Sequence, residues 1–96
     1  MCGVAGFFKN DISISFQEAN NTVQKMSNSL LHRGPDSQNS WSSEKDDIFL
    51  SHSRLSILDL TKNGNQPMLS HSNRYVISYN GEIYNFKELR KKYFSK

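Results

Sequence analysis

One apolar stripe at helical spacing constrains this chain more than any other feature of its sequence. The stripe begins after an S-x-x-E capping box formed by Ser15 and Glu18, a pattern typical of a helix N-terminus. Its members recur at intervals of three and four residues and so share one helix face: Phe16, Ala19, Val23, Met26 and Leu30. The glycine and proline within residues 32–36 break any longer helix. The sequence therefore predicts one amphipathic helix that ends at this break.

On both sides of this helix the pattern favours β-strands. A short apolar run at 4–8 precedes the helix, and β-branched or aromatic residues follow it. The strands predicted after the helix are 37–41, 48–60 (as one or two strands) and 74–79. A polar loop is expected at 42–47, a turn at 61–66, and a second helix from the Asn85 and Glu88 capping pair through Phe86, Leu89 and Tyr93. This order of elements predicts an α+β fold.

The chain has little apolar material with which to build a core. Its 96 residues make one domain at most, and a chain of this size buries only about 60–65% of the surface that its unfolded form exposes. Apolar residues make up 35% of the sequence, and adding glycine still leaves the share below that of most globular domains. The second predicted helix also has no C-cap. We therefore expect a chain that is not a complete folding unit.

The charge of the chain is concentrated at one end. The net charge is +3, but five of the basic residues fall in the last ten positions: Lys87, Arg90, Lys91, Lys92 and Lys96. The rest of the chain is nearly balanced. This distribution favours a solvated helix face over a surface that binds nucleic acid.

Cysteine content and hydropathy indicate the compartment. The single cysteine excludes an intrachain disulfide and a metal site with several thiolates. The N-terminus lacks the basic segment and long apolar run of a signal peptide, and no stretch has the apolar length of a membrane span. We expect a cytoplasmic protein that does not contact a membrane.

Cys2 is the residue whose position alone suggests catalysis. Removal of Met1 would leave Cys2 with both a thiol and a free α-amine. An α-amine titrates close to neutral pH and can act as the base for a neighbouring nucleophile. The alternative is that Cys2 is a small buried apolar residue, the usual state of a free cysteine.

Asn80-Gly81 and Arg54 each allow two interpretations. Asn-Gly is the commonest sequence of a type I′ hairpin turn, but an amide side chain beside a glycine N–H could also stabilise an oxyanion. Arg54, within an apolar strand region, is either an edge residue whose charge reaches water or a fork held for a carboxylate. Glu82 suits a surface position. His32, His52 and His71 lack metal-ligand spacing and are expected to be structural or exposed.

Four segments of the sequence together resemble one family. They are residues 2–7 (CGVAGF), 32–36 (HRGPD), 52–59 (HSRLSILD) and 80–85 (NGEIYN). The chain resembles roughly the first half of the N-terminal glutaminase domain of glutamine-dependent asparagine synthetases. These are class II glutamine amidotransferases, within the N-terminal nucleophile hydrolases. The resemblance implies a partial αββα sandwich, in which residues 1–96 are the N-terminal portion of such a domain.

The resemblance also implies a role for each site residue. Cys2 would attack the side-chain amide of L-glutamine, form a glutamyl thioester and release ammonia. Arg54 would bind the substrate α-carboxylate, and Glu82 would bind its α-ammonium. Asn80 and Gly81 would form the oxyanion hole. The backbone around Leu55 and Ile57 would line the pocket, and the 32–36 block would have no chemical role.

Parts of the family pattern have no counterpart in this sequence. A later aspartate that helps to bind the glutamine amine and an ATP-using synthetase domain are both missing. We therefore expect no cofactor or metal in this segment, with ATP and Mg²⁺ acting only in the absent synthetase domain. The expected partners are L-glutamine and a synthetase domain or a complementary half on another chain, with no nucleic acid and no membrane. The alternatives are an inactive remnant, one half of a split enzyme, or a small basic interaction module.

Overall fold

A three-stranded antiparallel sheet and one helix form the main body of the protein. The computed structural model describes residues 2–10, 13–57 and 59–94. The strands are β1 (Gly3–Phe8), β2 (Ser37–Ser43) and β3 (Ile48–Arg54), in the order β1-β3-β2. Helix α1 (Phe16–Asn28) packs against this sheet. The predicted α+β class is confirmed.

The core lies between α1 and one face of β3. Side chains alternate between the two faces of a strand, and Phe49 on the helix side stacks on Phe7 with ring centroids 4.9 Å apart. Ala19 and Val23 of the predicted stripe are fully buried beside Phe49. At the same face the Ser53 hydroxyl donates to the Ser27 carbonyl oxygen, 3.1 Å away. The core therefore has an apolar centre and a hydrogen-bonded polar end.

The predicted start of α1 is confirmed, and its end comes earlier than the apolar stripe suggests. The Ser15 hydroxyl accepts a hydrogen bond from the Glu18 N–H at 3.1 Å, which caps the first turn. The helix ends at Asn28. The Leu30 N–H then bonds to the Ser27 carbonyl, a tighter contact that is common where a helix stops.

The strand predictions are right in kind but not in length. β2 continues through Ser43, so the first two positions of the predicted 42–47 loop are strand. The strand expected at 48–60 ends at Arg54, since the chain beyond it turns to surround the arginine side chain; Leu58 lies outside the described residues. Within the predicted 61–66 turn is a 3₁₀ helix, Lys62–Gly64.

A small second sheet and a second helix complete the described chain. Strands β4 (Met68–Leu69) and β5 (Val76–Ile77) pair antiparallel, so the strand predicted at 74–79 has two residues in a ladder. Helix α2 (Phe86–Phe94) follows the predicted Asn85 boundary. Its side chains are largely exposed, and so are those of the second sheet. No described helix combines the length and apolar content needed to cross a bilayer.

Gly34 allows a loop to lie directly against β3. It is buried, and a Cβ at this position would overlap the carbonyl oxygen of Ser53 and approach the Arg54 nitrogen to 2.6 Å. Both obstacles are backbone atoms of the central strand and cannot rotate away. The glycine is therefore required for the close approach of the two chain segments.

We expect Gly34→Ala to lower the free energy of unfolding by about 1–3 kcal/mol or more, because overpacking against backbone is relieved only by moving a strand. Urea denaturation would measure the loss. Gly81→Ala is the matched control: it is exposed, and its Cβ would meet the ring of Tyr79, an exposed side chain that can move. Equal stability of the two variants would contradict this account of Gly34.

Candidate active site

A cavity of about 400 Å³ opens at the end of β3, on the side away from α1. Its walls come from the N-terminus, the residues that follow β3, and the segment after β5. All seven residues singled out in the sequence line it: Cys2, Arg54, Leu55, Ile57, Asn80, Gly81 and Glu82. Four residues that were given no site role also contribute: His52, Asp59, Gly64 and Gln66.

Strand pairing brings Cys2 to this cavity. Gly3 is opposite Ser53 in the antiparallel ladder of β1 and β3, so the residue before β1 lies beside the residues that leave β3. The Leu55 N–H points at the Cys2 sulfur at 3.3 Å, and the sulfur lies 3.7 Å from the Leu55 carbonyl oxygen. Cys2 is partly exposed. It is therefore a thiol on a cavity wall with polar contacts, and the interpretation as a buried apolar residue is wrong.

Arg54 is buried at the end of the central strand, with 7% of its surface exposed. Its Nη1 donates to the Thr61 carbonyl at 2.5 Å and to the Asn65 side-chain oxygen at 2.8 Å, and its Nη2 donates to the Asp59 carbonyl. The interpretation as an edge residue whose charge reaches water is therefore wrong. These contacts use three of the five N–H donors of a guanidinium group, and the side chain also faces the cavity.

Residues 59–65 form a loop around the Arg54 side chain. Within it the Asp59 carboxylate accepts from the Thr61 N–H at 2.8 Å and from its hydroxyl at 2.6 Å. The Thr61 hydroxyl, then its N–H, and more weakly the Arg54 charge lower the pKa of Asp59 below its ordinary value. The Ser37 hydroxyl joins the loop to β2 through Asn65 at 2.9 Å. The loop is thus fixed from within and from both neighbouring strands.

The 32–36 block supports the site without lining the cavity. The Arg33 Nε donates to the Cys2 carbonyl at 3.2 Å. The Asp36 N–H bonds to the Arg54 carbonyl at 2.9 Å, and the Asp36 carboxylate accepts from the Ser56 N–H at 2.7 Å. The block therefore fixes the backbone at Cys2 and on both sides of Leu55, in keeping with the structural role expected for it.

Asn80 and Gly81 do not form a type I′ hairpin turn. Such a turn needs positive φ at both positions, and among the described residues only Asp47 and Asn73 have positive φ. The hairpin interpretation is therefore wrong. The two residues instead extend the chain beyond β5 along the cavity wall, where Glu82 follows them as an exposed carboxylate.

His52 is one of the polar cavity residues to which the sequence analysis gave no site role. It is 1% exposed, on the same face of β3 as Arg54, and its Nε2 lies 3.0 Å from the Tyr79 carbonyl. A carbonyl only accepts, so Nε2 carries the proton. Burial, reinforced by the Arg54 charge, lowers the pKa of His52, although the Tyr79 carbonyl acts in the opposite direction. The sequence held one signal for His52: it is two residues from Arg54, so the two side chains share one face of a strand.

The other histidines agree with their prediction. His32 and His71 are exposed. Within residues 2–10, 13–57 and 59–94, no group of three or more histidine, cysteine or acidic side chains could hold a metal ion.

We expect the stability of the folded protein to rise with pH as pH passes upward through the region just below 6.5, the ordinary value for histidine. In that window the unfolded chain binds a proton at His52 that the folded chain excludes, so the slope reaches at most about 1.4 kcal/mol per pH unit. The measurement is urea unfolding across this range. The slope should diminish in His52→Gln and persist in His71→Gln; an unchanged slope in His52→Gln would contradict the assignment.

Comparison with known proteins places the whole chain in one family. Residues 1–96 match the family described as "Glutamine amidotransferase domain". Glutamine-hydrolysing asparagine synthetase 3 of Bacillus subtilis is 36% identical over 93 residues, which span 95% of this chain and 14% of that protein. Asparagine synthetase B of Escherichia coli is 38% identical across 97% of the chain and 16% of its own length.

A plant relative gives the same result. The glutamine-hydrolysing asparagine synthetase of Asparagus officinalis is 39% identical over 94 residues, which span 96% of the chain and 15% of the relative. The chain thus spans about a seventh of the length of these proteins, in their N-terminal glutaminase region. No solved structure matches it. The residues that surround the cavity are therefore part of a chain that belongs to the glutamine amidotransferase domain family.

Proposed function

We propose that this chain is the N-terminal portion of a class II glutamine amidotransferase domain that hydrolyses the side-chain amide of glutamine. The ammonia released would serve the synthesis of asparagine. The observation that carries the proposal is the composition of one cavity, which is lined by a thiol, a guanidinium, a carboxylate and an asparagine–glycine pair. Free glutamine is a zwitterion with an amide to cleave, and these groups match its chemistry one by one.

Cys2 is the nucleophile in this proposal. Its sulfur attacks the amide carbon of glutamine, and its α-amine, freed by loss of Met1, accepts the thiol proton. That proton passes to the leaving nitrogen as the carbon–nitrogen bond breaks, which gives ammonia and a glutamyl thioester. Water then hydrolyses the thioester to glutamate and restores the thiol. Met1 lies outside the described residues, so its removal remains a prediction.

The other cavity residues recognise the ground state or the transition state. Arg54 binds the α-carboxylate with donors beyond those that hold the loop, and Glu82 binds the α-ammonium. Leu55 and Ile57 line the pocket. The Asn80 amide and the Gly81 N–H stabilise the oxyanion that develops on the attacked carbonyl, where hydrogen-bond donors contribute most to the rate.

The same proposal extends to the fold and to partners. A helix layer on a sheet supports assignment of these residues to the first layers of an αββα sandwich, and the longer relatives support a synthetase domain as the consumer of ammonia. ATP and Mg²⁺ would act only in that domain. The second candidate is a non-catalytic interaction module, which the exposed apolar side chains in and beside the second sheet favour: Met68, Leu69 and Ile77 in the sheet and Tyr75 just before β5.

We expect Cys2→Ala and Cys2→Ser to lower glutamine hydrolysis by at least about a thousandfold, because the covalent route is lost. Ammonia release measures activity, and urea unfolding should show that both variants remain folded. Intact mass of the active protein should show that Met1 is absent. Near-parental ammonia release from Cys2→Ala would contradict the mechanism. The interaction-module candidate predicts no ammonia from any form.

Arg54 requires a substrate-based test because it also supports the 59–65 loop. Lysine cannot reproduce the guanidinium fork, so Arg54→Lys should raise the glutamine KM at least tenfold, about 1.4 kcal/mol. For 4-aminobutanamide, which is glutamine without its α-carboxylate, the increase should be much smaller. Equal increases for both substrates would assign Arg54 to loop support alone. Arg74→Lys, an exposed substitution, is the control.

A further inference from the structure

We propose that His52 and Gln66 are positioning residues that fix the backbone of the segment leading into Asn80 and Gly81. The inference rests on the proposed function, in which those two residues stabilise the oxyanion. Neither His52 nor Gln66 needs to touch the substrate for this role. They would act by fixing the backbone from which these donors extend, so that the donors are in place before the reaction begins.

Side chains, not a strand ladder, hold this segment to the main sheet. β5 ends at Ile77, and the next residue donates its hydroxyl to the Ser51 carbonyl at 2.9 Å. The Tyr79 N–H donates to the Gln66 side-chain oxygen at 2.6 Å. The Tyr79 carbonyl accepts from the His52 Nε2 at 3.0 Å. Two side chains thus satisfy both polar groups of the Tyr79 backbone.

Peptide geometry transmits these two contacts to the oxyanion donors. A peptide group is planar, so the bond from His52 to the Tyr79 carbonyl also fixes the Asn80 N–H on the other side of the same plane. The bond from Gln66 to the Tyr79 N–H fixes the preceding plane. With the two planes on either side of the Tyr79 Cα set, the position of the Asn80 Cα is set as well, and both the Asn80 side chain and the peptide plane of the Gly81 N–H start from that fixed point.

His52 is well suited to act as a rigid support. It lies on the central strand, paired with Val4 on one side and Asn39 on the other, and its side chain is almost fully buried. Its Nδ1 is buried with no partner among the described residues. An unsatisfied buried acceptor carries an energetic cost, so an apolar side chain would suit this position better if packing were its only task.

Gln66 connects this support to the loop around Arg54. Its neighbour Asn65 accepts a hydrogen bond from the Arg54 guanidinium, and Gln66 then accepts one from Tyr79. The group assigned to the substrate carboxylate and the group assigned to the oxyanion are therefore joined through two consecutive residues. A shift of either part would move the other.

The test uses the folded, glutamine-hydrolysing protein and four variants. His52→Leu and Gln66→Leu remove the two contacts. His52→Gln retains a donor near the position of Nε2, and His71→Leu is the control at an exposed histidine. Amide hydrogen exchange is followed at Tyr79, Asn80 and Gly81, and at the amides of β1 and β3. Steady-state kinetics give kcat and KM for glutamine.

We expect both leucine variants to speed exchange at 79–81 while the β1 and β3 amides stay protected. Their kcat should fall at least about tenfold with KM changed less than about threefold, because the disturbed donors act mainly in the transition state. His52→Gln should recover kcat to within about threefold of the parent. His71→Leu should match the parent.

Two results would overturn the positioning role. One is parental exchange at 79–81 in both leucine variants. The other is equally faster exchange throughout β1, β3 and 79–81, which would indicate general destabilisation. If the parent releases no ammonia, the proposed function fails, but the exchange pattern still decides whether His52 and Gln66 fix this segment. If His52→Leu does not fold, Gln66→Leu carries the same test.

Discussion

The central position of β3 is the constraint on which the rest of this structure depends. Because β3 pairs with β1 on one edge and β2 on the other, its backbone is committed to two ladders and its side chains point to two faces. Phe49 and Ser53 face α1 and complete the core. His52 and Arg54 face the opposite way, where burial of their polar groups is tolerable only if other segments supply hydrogen-bond partners.

Those partners are the segments that form the cavity. The 59–65 loop supplies carbonyl oxygens to Arg54, and Tyr79 supplies one to His52. Cys2 reaches the same place from a third direction, through the ladder that ends at Gly3. Each wall of the cavity is thus held in place either by a polar side chain of β3 or by strand pairing along its edge. Residues far apart in the chain meet at the cavity because the segments that carry them all contact β3.

The sequence predicted the features that depend on local signals. The capped helix start at Ser15 and the apolar stripe through Val23 arise from spacing alone, and both are present. The apolar run after Arg54 led to a strand prediction that is too long. A pattern of isoleucine and leucine does not reveal that the chain leaves the ladder after Arg54 and folds around its buried guanidinium. The predicted site residues rest on the resemblance of four segments considered together; they belong to three of these segments, and they line one cavity.

Contacts between distant segments left no such signal. His52 is 27 residues from Tyr79, and Gln66 is 13 residues from it. Nothing in the local pattern around these residues marks one as donor and the other as acceptor to the same backbone. Asn80-Gly81 was ambiguous for a related reason: its local sequence favours a hairpin, whereas the backbone of the preceding Tyr79 is held by side chains from distant segments.

The hydrogen bonds of Arg54 differ from those between Tyr79 and the side chains of His52 and Gln66, because the partners of Arg54 are near it in sequence. They lie only five, seven and eleven residues further along the chain. The entropy lost on closing a loop grows with the length of the loop. A short loop that folds back on a side chain at its start therefore loses less entropy than a long loop that joins distant segments. This wall of the cavity therefore requires little ordering of the chain beyond β3 itself, whereas the wall at Tyr79 can form only after two distant segments have met.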